Sequence, residues 1–122
     1  MNPRIKTLLR FTVAILLVQT LRYKFLAHPD SVYIFETVGM EPFGRIGIGV
    51  LELITALLLL IKRTAWFGAF MSIGLMIGAL FFHLTILGIE VQGDGGTLFG
   101  MAILTWVLSL LILWNEKKAF PF

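Results

Sequence analysis

Glu52 is the residue from which any chemistry of this chain must start, because it sits in the middle of an otherwise apolar run from Phe43 to Ile61. An ionised carboxylate facing hydrocarbon is prohibitively unfavourable, so Glu52 must turn inward to a partner or take up a proton. At 3.6 residues per turn, Arg45, Gly49, Glu52 and Ala56 share one stripe of a helix, while Ile46, Val50, Leu53, Leu57, Leu58 and Leu60 cover the other faces. Further polar residues stand at the ends of other apolar runs: Gln19, Arg22 and Lys24 in the first, His83 in the third, with Glu90 and Asp94 just beyond. A buried acid beside a histidine is suited to proton transfer, which makes Glu52 and His83 the catalytic candidates. Gln19, Arg22, Lys24, Arg45, Glu52 and His83 together make a candidate pocket for a headgroup or small amphiphile. Plainer readings stand beside these. Glu52 could pair with Arg45, Gln19 or His83 only to hold the helices in one arrangement. Arg22, Lys24 and Arg45 could snorkel to headgroups or balance Glu41, Glu90 and Asp94.

Several chemistries find no support. The chain has no cysteine, which removes disulfides, thiolate metal sites and dithiol redox chemistry. Glu52, His83, Glu90 and Asp94 contain no pair with a recognised metal-ligand spacing, so no metal is expected. Bis-histidine haem is disfavoured because the two histidines are His83 and His28, the latter in a surface segment. The glycines from Gly93 to Gly96 do not follow a strand, as a phosphate-binding loop requires. The net charge of +3 comes from short basic clusters at helix ends rather than a basic face, which argues against nucleic acid.

The elements that must position these residues are membrane helices. Of 122 residues, 58% are hydrophobic and 14% charged, outside the range of ordinary soluble domains. Four apolar runs approach the length needed to cross a core of roughly 30 Å, at about 5–25, 43–61, 65–87 and 98–114. The first opens like a signal peptide, but Phe25-Leu26-Ala27 lacks the small residue expected ahead of a cleavage site, so a retained helix is expected. Thr12, Gln19 and Tyr23 share one of its faces. Between the first two runs, Asp30 or Ser31 reads as an N-cap, Gly39 as a C-cap and Pro42 as a stop, giving two helical turns along the membrane surface over the bundle mouth. Lys62-Arg63-Thr64 allows only an antiparallel hairpin. In the third run, Gly74 and Gly78 form a small-xxx-small pair for close packing or homodimerisation, and Ser72, Ala79 and His83 form another stripe. Gly88 to Thr97 reads as a compact irregular turn, and Ala102, Thr105 and Ser109 share one side of the last helix. The expected fold is all-α: an antiparallel bundle of four transmembrane helices, with a short interfacial helix between the first and second.

Orientation follows from the basic residues. Arg4, Lys6, Arg10, Lys62, Arg63, Lys117 and Lys118 fall on one side of a four-span arrangement, against Arg22, Lys24 and Arg45 on the other. The positive-inside rule then makes both termini cytoplasmic, with Trp66 and Trp114 near the cytoplasmic interface and the polar cluster in the outer half.

From Gln19 to Trp114 the chain resembles the DoxX-like family of small four-helix bacterial membrane proteins. The resemblance rests on Lys24-Phe25, Ser31-Val32-Tyr33-Ile34-Phe35, Gly39-Met40-Glu41-Pro42, Gly44-Arg45-Ile46-Gly47, Gly49 to Leu53, Gly78-Ala79, His83-Leu84 and Gly88 to Gly96, in that order. Leu17, Val18, Gln19, Thr20 and Leu21 stand where family members often carry glycines, which argues against a close backbone contact or ligand groove along the first helix. The resemblance implies a multi-pass protein of the bacterial inner membrane. Its family name comes from association with a quinol oxidase; some members are linked to membrane oxidoreductase or thiol-stress assemblies, and others resemble assembly factors. The expected function is a non-catalytic accessory or binding subunit of a redox or envelope assembly, holding a lipid, quinone headgroup or partner helix from another membrane-protein subunit. Two alternatives are a quinol-linked oxidoreductase component using Glu52 and His83 for proton transfer, and a carrier of protons or small solutes. Against the carrier, no inverted repeat or broken helix is evident.

Overall fold

The structure, a computed structural model, describes residues 2–26, 28–91 and 93–116, with Tyr23 described by its backbone alone. Lys117, Lys118 and the tail Phe120-Pro121-Phe122 lie outside the described residues, as does the expected placement of the Tyr23 side chain. Five α-helices and no strand are found among the described residues: α1 (Pro3–Phe25), α2 (Pro29–Thr37), α3 (Phe43–Leu60), α4 (Ala65–Phe82) and α5 (Thr97–Asn115). A 3-10 turn, Lys62–Thr64, joins α3 to α4, and a π-helical turn, His83–Leu87, continues α4.

Three helical stretches, Phe43–Leu60, Lys62–Leu87 and Thr97–Asn115, are long and apolar enough to cross a membrane. The expected first span is the exception. The 23 residues of α1 are long enough at about 34 Å, but every 18-residue stretch of it carries three of the basic residues Arg4, Lys6, Arg10, Arg22 and Lys24. Large apolar side chains that face away from the protein, among them Leu8, Ile15, Phe70, Leu84 and Trp114, give the molecule an exterior suited to lipid rather than water.

Local chemistry explains the helix ends. Asn2 Oδ1 accepts from the Arg4 N–H at 2.8 Å, ahead of Pro3 in the first turn of α1. The surface helix starts earlier than Asp30 or Ser31 as caps would give. Pro29 suits the first helical position, and the ring of His28 caps α2 by accepting from the Asp30 N–H at 3.2 Å. Its far end matches expectation, with Gly39 at φ 76° just past the C-cap Val38. At the end of α3 the Leu58 and Leu59 carbonyls are taken up by Thr64 Oγ1 (2.9 Å) and by Arg10 Nη1 (3.2 Å). Arg10 is therefore more than an orientation signal. It is buried, and its charge lies at the negative end of a helix.

The helices touch in a ring: α1 against α3, α3 against α4, α4 against α5 and α5 back against α1, while α2 touches α1, α3 and the π-helical turn. One half of the ring is solid. Val13, Ala14, Leu17, Ala56, Leu59, Ala69 and Ile112 form its buried core. Close approach there depends on Gly68, where a Cβ would stand 2.9 Å from the Leu59 backbone nitrogen. Ser72 and Ser109, both fully buried, meet at 2.7 Å, and Ser109 donates on to the Thr105 carbonyl, so Ser72 is the donor between them. The face Ala102, Thr105 and Ser109 is buried, as its spacing implies.

The other half of the ring is hollow. Gly74 and Gly78, expected at a close helix contact, have no neighbour within 4 Å of where a Cβ would stand, and both line the hollow instead. Small residues here leave a void because no neighbouring backbone moves in to fill it.

Candidate functional site

The hollow is a cavity of about 700 Å³ bounded by α1, α3, α4 and α5, with α2 across it. Its walls are largely apolar, from Leu16, Leu17, Ile48, Leu75, Met76 and Phe82 among others, and the polar groups are few. A space of this size and character is typical of sites for small amphiphiles.

Glu52 lies in this wall and is 4% exposed. Its partner is Lys24, whose Nζ stands 2.9 Å from Oε1. Thr20 Oγ1 is 3.0 Å from Oε2 and 2.8 Å from the Leu17 carbonyl, with one proton to give between them. The same hydroxyl accepts from Lys24 Nζ at 3.1 Å. One turn of α1 thus supplies both groups that hold the acid of α3. Thr20 adds one contact to each member of the pair, which offsets part of the cost of holding the carboxylate away from water.

Arg45 does not meet Glu52, although the two share a stripe. Its Nε donates to both carboxylate oxygens of Glu41, at 2.9 and 3.0 Å, and Nη1 donates to the Lys24 carbonyl. Arg45 therefore ties the end of α1 to the start of α3 from outside the cavity and fixes the backbone of the residue that neutralises Glu52. Gln19 lines the cavity, with Nε2 3.7 Å from Met101 Sδ. Arg22 is exposed and is not part of the cavity wall.

His83 opens the π-helical turn and is 6% exposed. Its Nδ1 is 3.0 Å from the Gly88 carbonyl, and the ring stands edge-on to Phe99 with centroids 5.5 Å apart. Glu52 and His83 both line the cavity, yet each bonds to a separate set of groups.

Asp94 also reaches the cavity wall, while Glu90 is exposed outside it. The loop before α5 takes its shape from Gly88, Gly93, Gly95 and Gly96, all at positive φ. Asp94 Oδ1 accepts from Val91 N (3.1 Å) and Gly96 N (2.8 Å), and Oδ2 accepts from Leu98 N (3.1 Å) at the start of α5. Burial opposes its ionisation, but the N–H groups of Leu98, Val91 and Gly96, joined by the nearby His83 ring when that ring is protonated, outweigh that and hold its carboxyl below the usual aspartate value.

Four of the six expected binding residues, Gln19, Lys24, Glu52 and His83, therefore meet at one cavity; Arg45 and Arg22 stand apart from it. Although Leu17 to Leu21 lack glycines, Leu16, Leu17, Gln19, Thr20 and Lys24 of α1 line the space. Thr20 is the residue the spacing argument missed. It lies one helical turn before Lys24, which was the signal that could have found it. No group of three or more metal-ligating side chains is found among the described residues.

No protein-family model matches this chain, and no curated protein or solved structure does so either.

Proposed function

We propose that this chain is a non-catalytic binding subunit of an inner-membrane redox or envelope assembly, holding the polar end of an amphiphile in the cavity between its helices. In this reading α1 crosses the bilayer with the three apolar helices, as one of four antiparallel spans, its basic residues at the two interfaces. Both termini are cytoplasmic, the cavity opens in the outer half beneath α2, and the resemblance to DoxX-like proteins extends to the fold. The observation that carries the proposal is the roughly 700 Å³ cavity, with a buried glutamate paired to a half-buried lysine on one wall and a buried histidine on another. A bundle needing Glu52 only as a fastener would have no use for that open space. A proton-transfer role for Glu52 and His83 draws less support, since Lys24 and Thr20 occupy the acid.

The test is native mass spectrometry of the protein released from its own membranes in mild detergent. A bound lipid or quinone-sized mass, lost in Gly78→Leu, is the expected result. A bare chain with no adduct and no co-purifying membrane subunit would overturn the proposal.

A further inference from the structure

The bonds of His83 identify which polar group the cavity takes. A backbone carbonyl can only accept, so Nδ1, at 3.0 Å from the Gly88 oxygen, carries the ring proton. In the neutral imidazole this leaves Nε2 with a lone pair and no proton. Nε2 has no hydrogen-bond partner among the described residues and is not sealed from solvent, although the residue is 94% buried on a cavity wall. An open acceptor there is complementary to a hydroxyl group and offers nothing to a carbonyl or ether oxygen. Charge narrows the choice further. The cavity wall carries Lys24 against Glu52, Asp94 and Asp30, an excess of carboxylate that repels phosphate headgroups. Lys24 is already committed to Glu52.

We propose that the cavity selects a neutral amphiphile bearing a hydroxyl on its polar end, which donates its proton to His83 Nε2, and discriminates against the same molecule with that hydroxyl capped or oxidised to a carbonyl. This rests on the cavity being a binding site and specifies its ligand.

The test uses the full chain in phosphatidylcholine nanodiscs at pH 8, with four probes of equal chain length: a para-alkylphenol, its methyl ether, an alkanol and an alkyl phosphate. One hydrogen bond to a buried acceptor predicts about tenfold tighter binding of the phenol than of the ether. In His83→Phe the phenol falls to the level of the ether, while the ether is unchanged; the wild-type comparison decides the matter even if that variant does not fold. An alkanol as tight as the phenol supports an aliphatic ligand, and a weaker alkanol an aromatic one. Equal binding of phenol and ether, or tighter binding of the phosphate, would overturn this inference and leave the binding role standing. If none of the probes binds, the binding role itself fails.

Discussion

Lys24 and Glu52 illustrate how little freedom a charge has once it leaves water. The pair is held by three contacts with Thr20 between them, and removing the lysine leaves the glutamate buried and uncompensated. Lys24→Met should therefore destabilise the protein by about 3 kcal/mol, and Glu52→Gln, which leaves only a half-buried lysine, by less. The double variant should lose less than the sum of the two, as a thermal-unfolding cycle in detergent will read. Asp94 behaves differently because its partners are backbone N–H groups and its pKa is lowered. A depressed folded pKa contributes stability above the unfolded value and loses it as pH falls through the folded one. The loop before α5 should therefore hold at pH 5 and weaken progressively below about pH 4, a dependence that Asp94→Ala abolishes. Hydrogen exchange of the Leu98 and Gly96 amides across that range measures it. Glu52 could be read as inward-facing from composition alone, since hydrocarbon permits nothing else. Its partner could not: Arg45, Gln19 and His83 were the expected ones, and only the packing of α1 on α3 brings Lys24 to it instead.

Among the elements, the apolar helices were legible because 18 or more apolar residues allow few alternatives, and α3, α5 and α4 with its π-helical turn begin and end within about a residue of the expected bounds. The start of α2 was not, since a histidine ring capping the turn that opens at Pro29 is a matter of local geometry that composition does not carry. The glycines were misplaced for a related reason: a small residue permits close approach without requiring it. Gly68 is the one on α4 that a neighbouring backbone meets, whereas Gly74 and Gly78 face open space. Gly68→Val should consequently cost about 2 kcal/mol or more, by forcing α3 and α4 apart. Gly78→Ala should be neutral or stabilising by up to about 1 kcal/mol, from helix propensity alone. Denaturation of both variants in the same detergent compares them directly. Loss of self-association in Gly74→Leu, read by sedimentation, would instead assign that stripe to a homodimer contact.

At the scale of the whole molecule, the division into a packed half and a hollow half is what gives the protein something to do. The packed half contains the core residues from Val13 to Ile112 with the Ser72–Ser109 pair, and the hollow half contains Glu52 and His83. Periodicity revealed which residues share a face, but not that small side chains on α4 and α5 would leave room beside Glu52, because a void depends on how several helices meet. The absence of native cysteine makes topology directly testable. Single cysteines at Asn2 and Lys62 should be labelled by a membrane-impermeant maleimide only after cell lysis, and one at Gly93 in intact cells. Labelling of Asn2 from outside would mean that α1 does not cross. The claim on which the account turns is that Glu52 faces an occupied cavity and not lipid. An experimental density map of the protein in native lipid tests it most directly. The account predicts elongated non-protein density between Gln19, Glu52 and His83, ending beside the His83 ring. A cavity closed by direct contact between those side chains, or Glu52 turned outward among acyl chains, would contradict it.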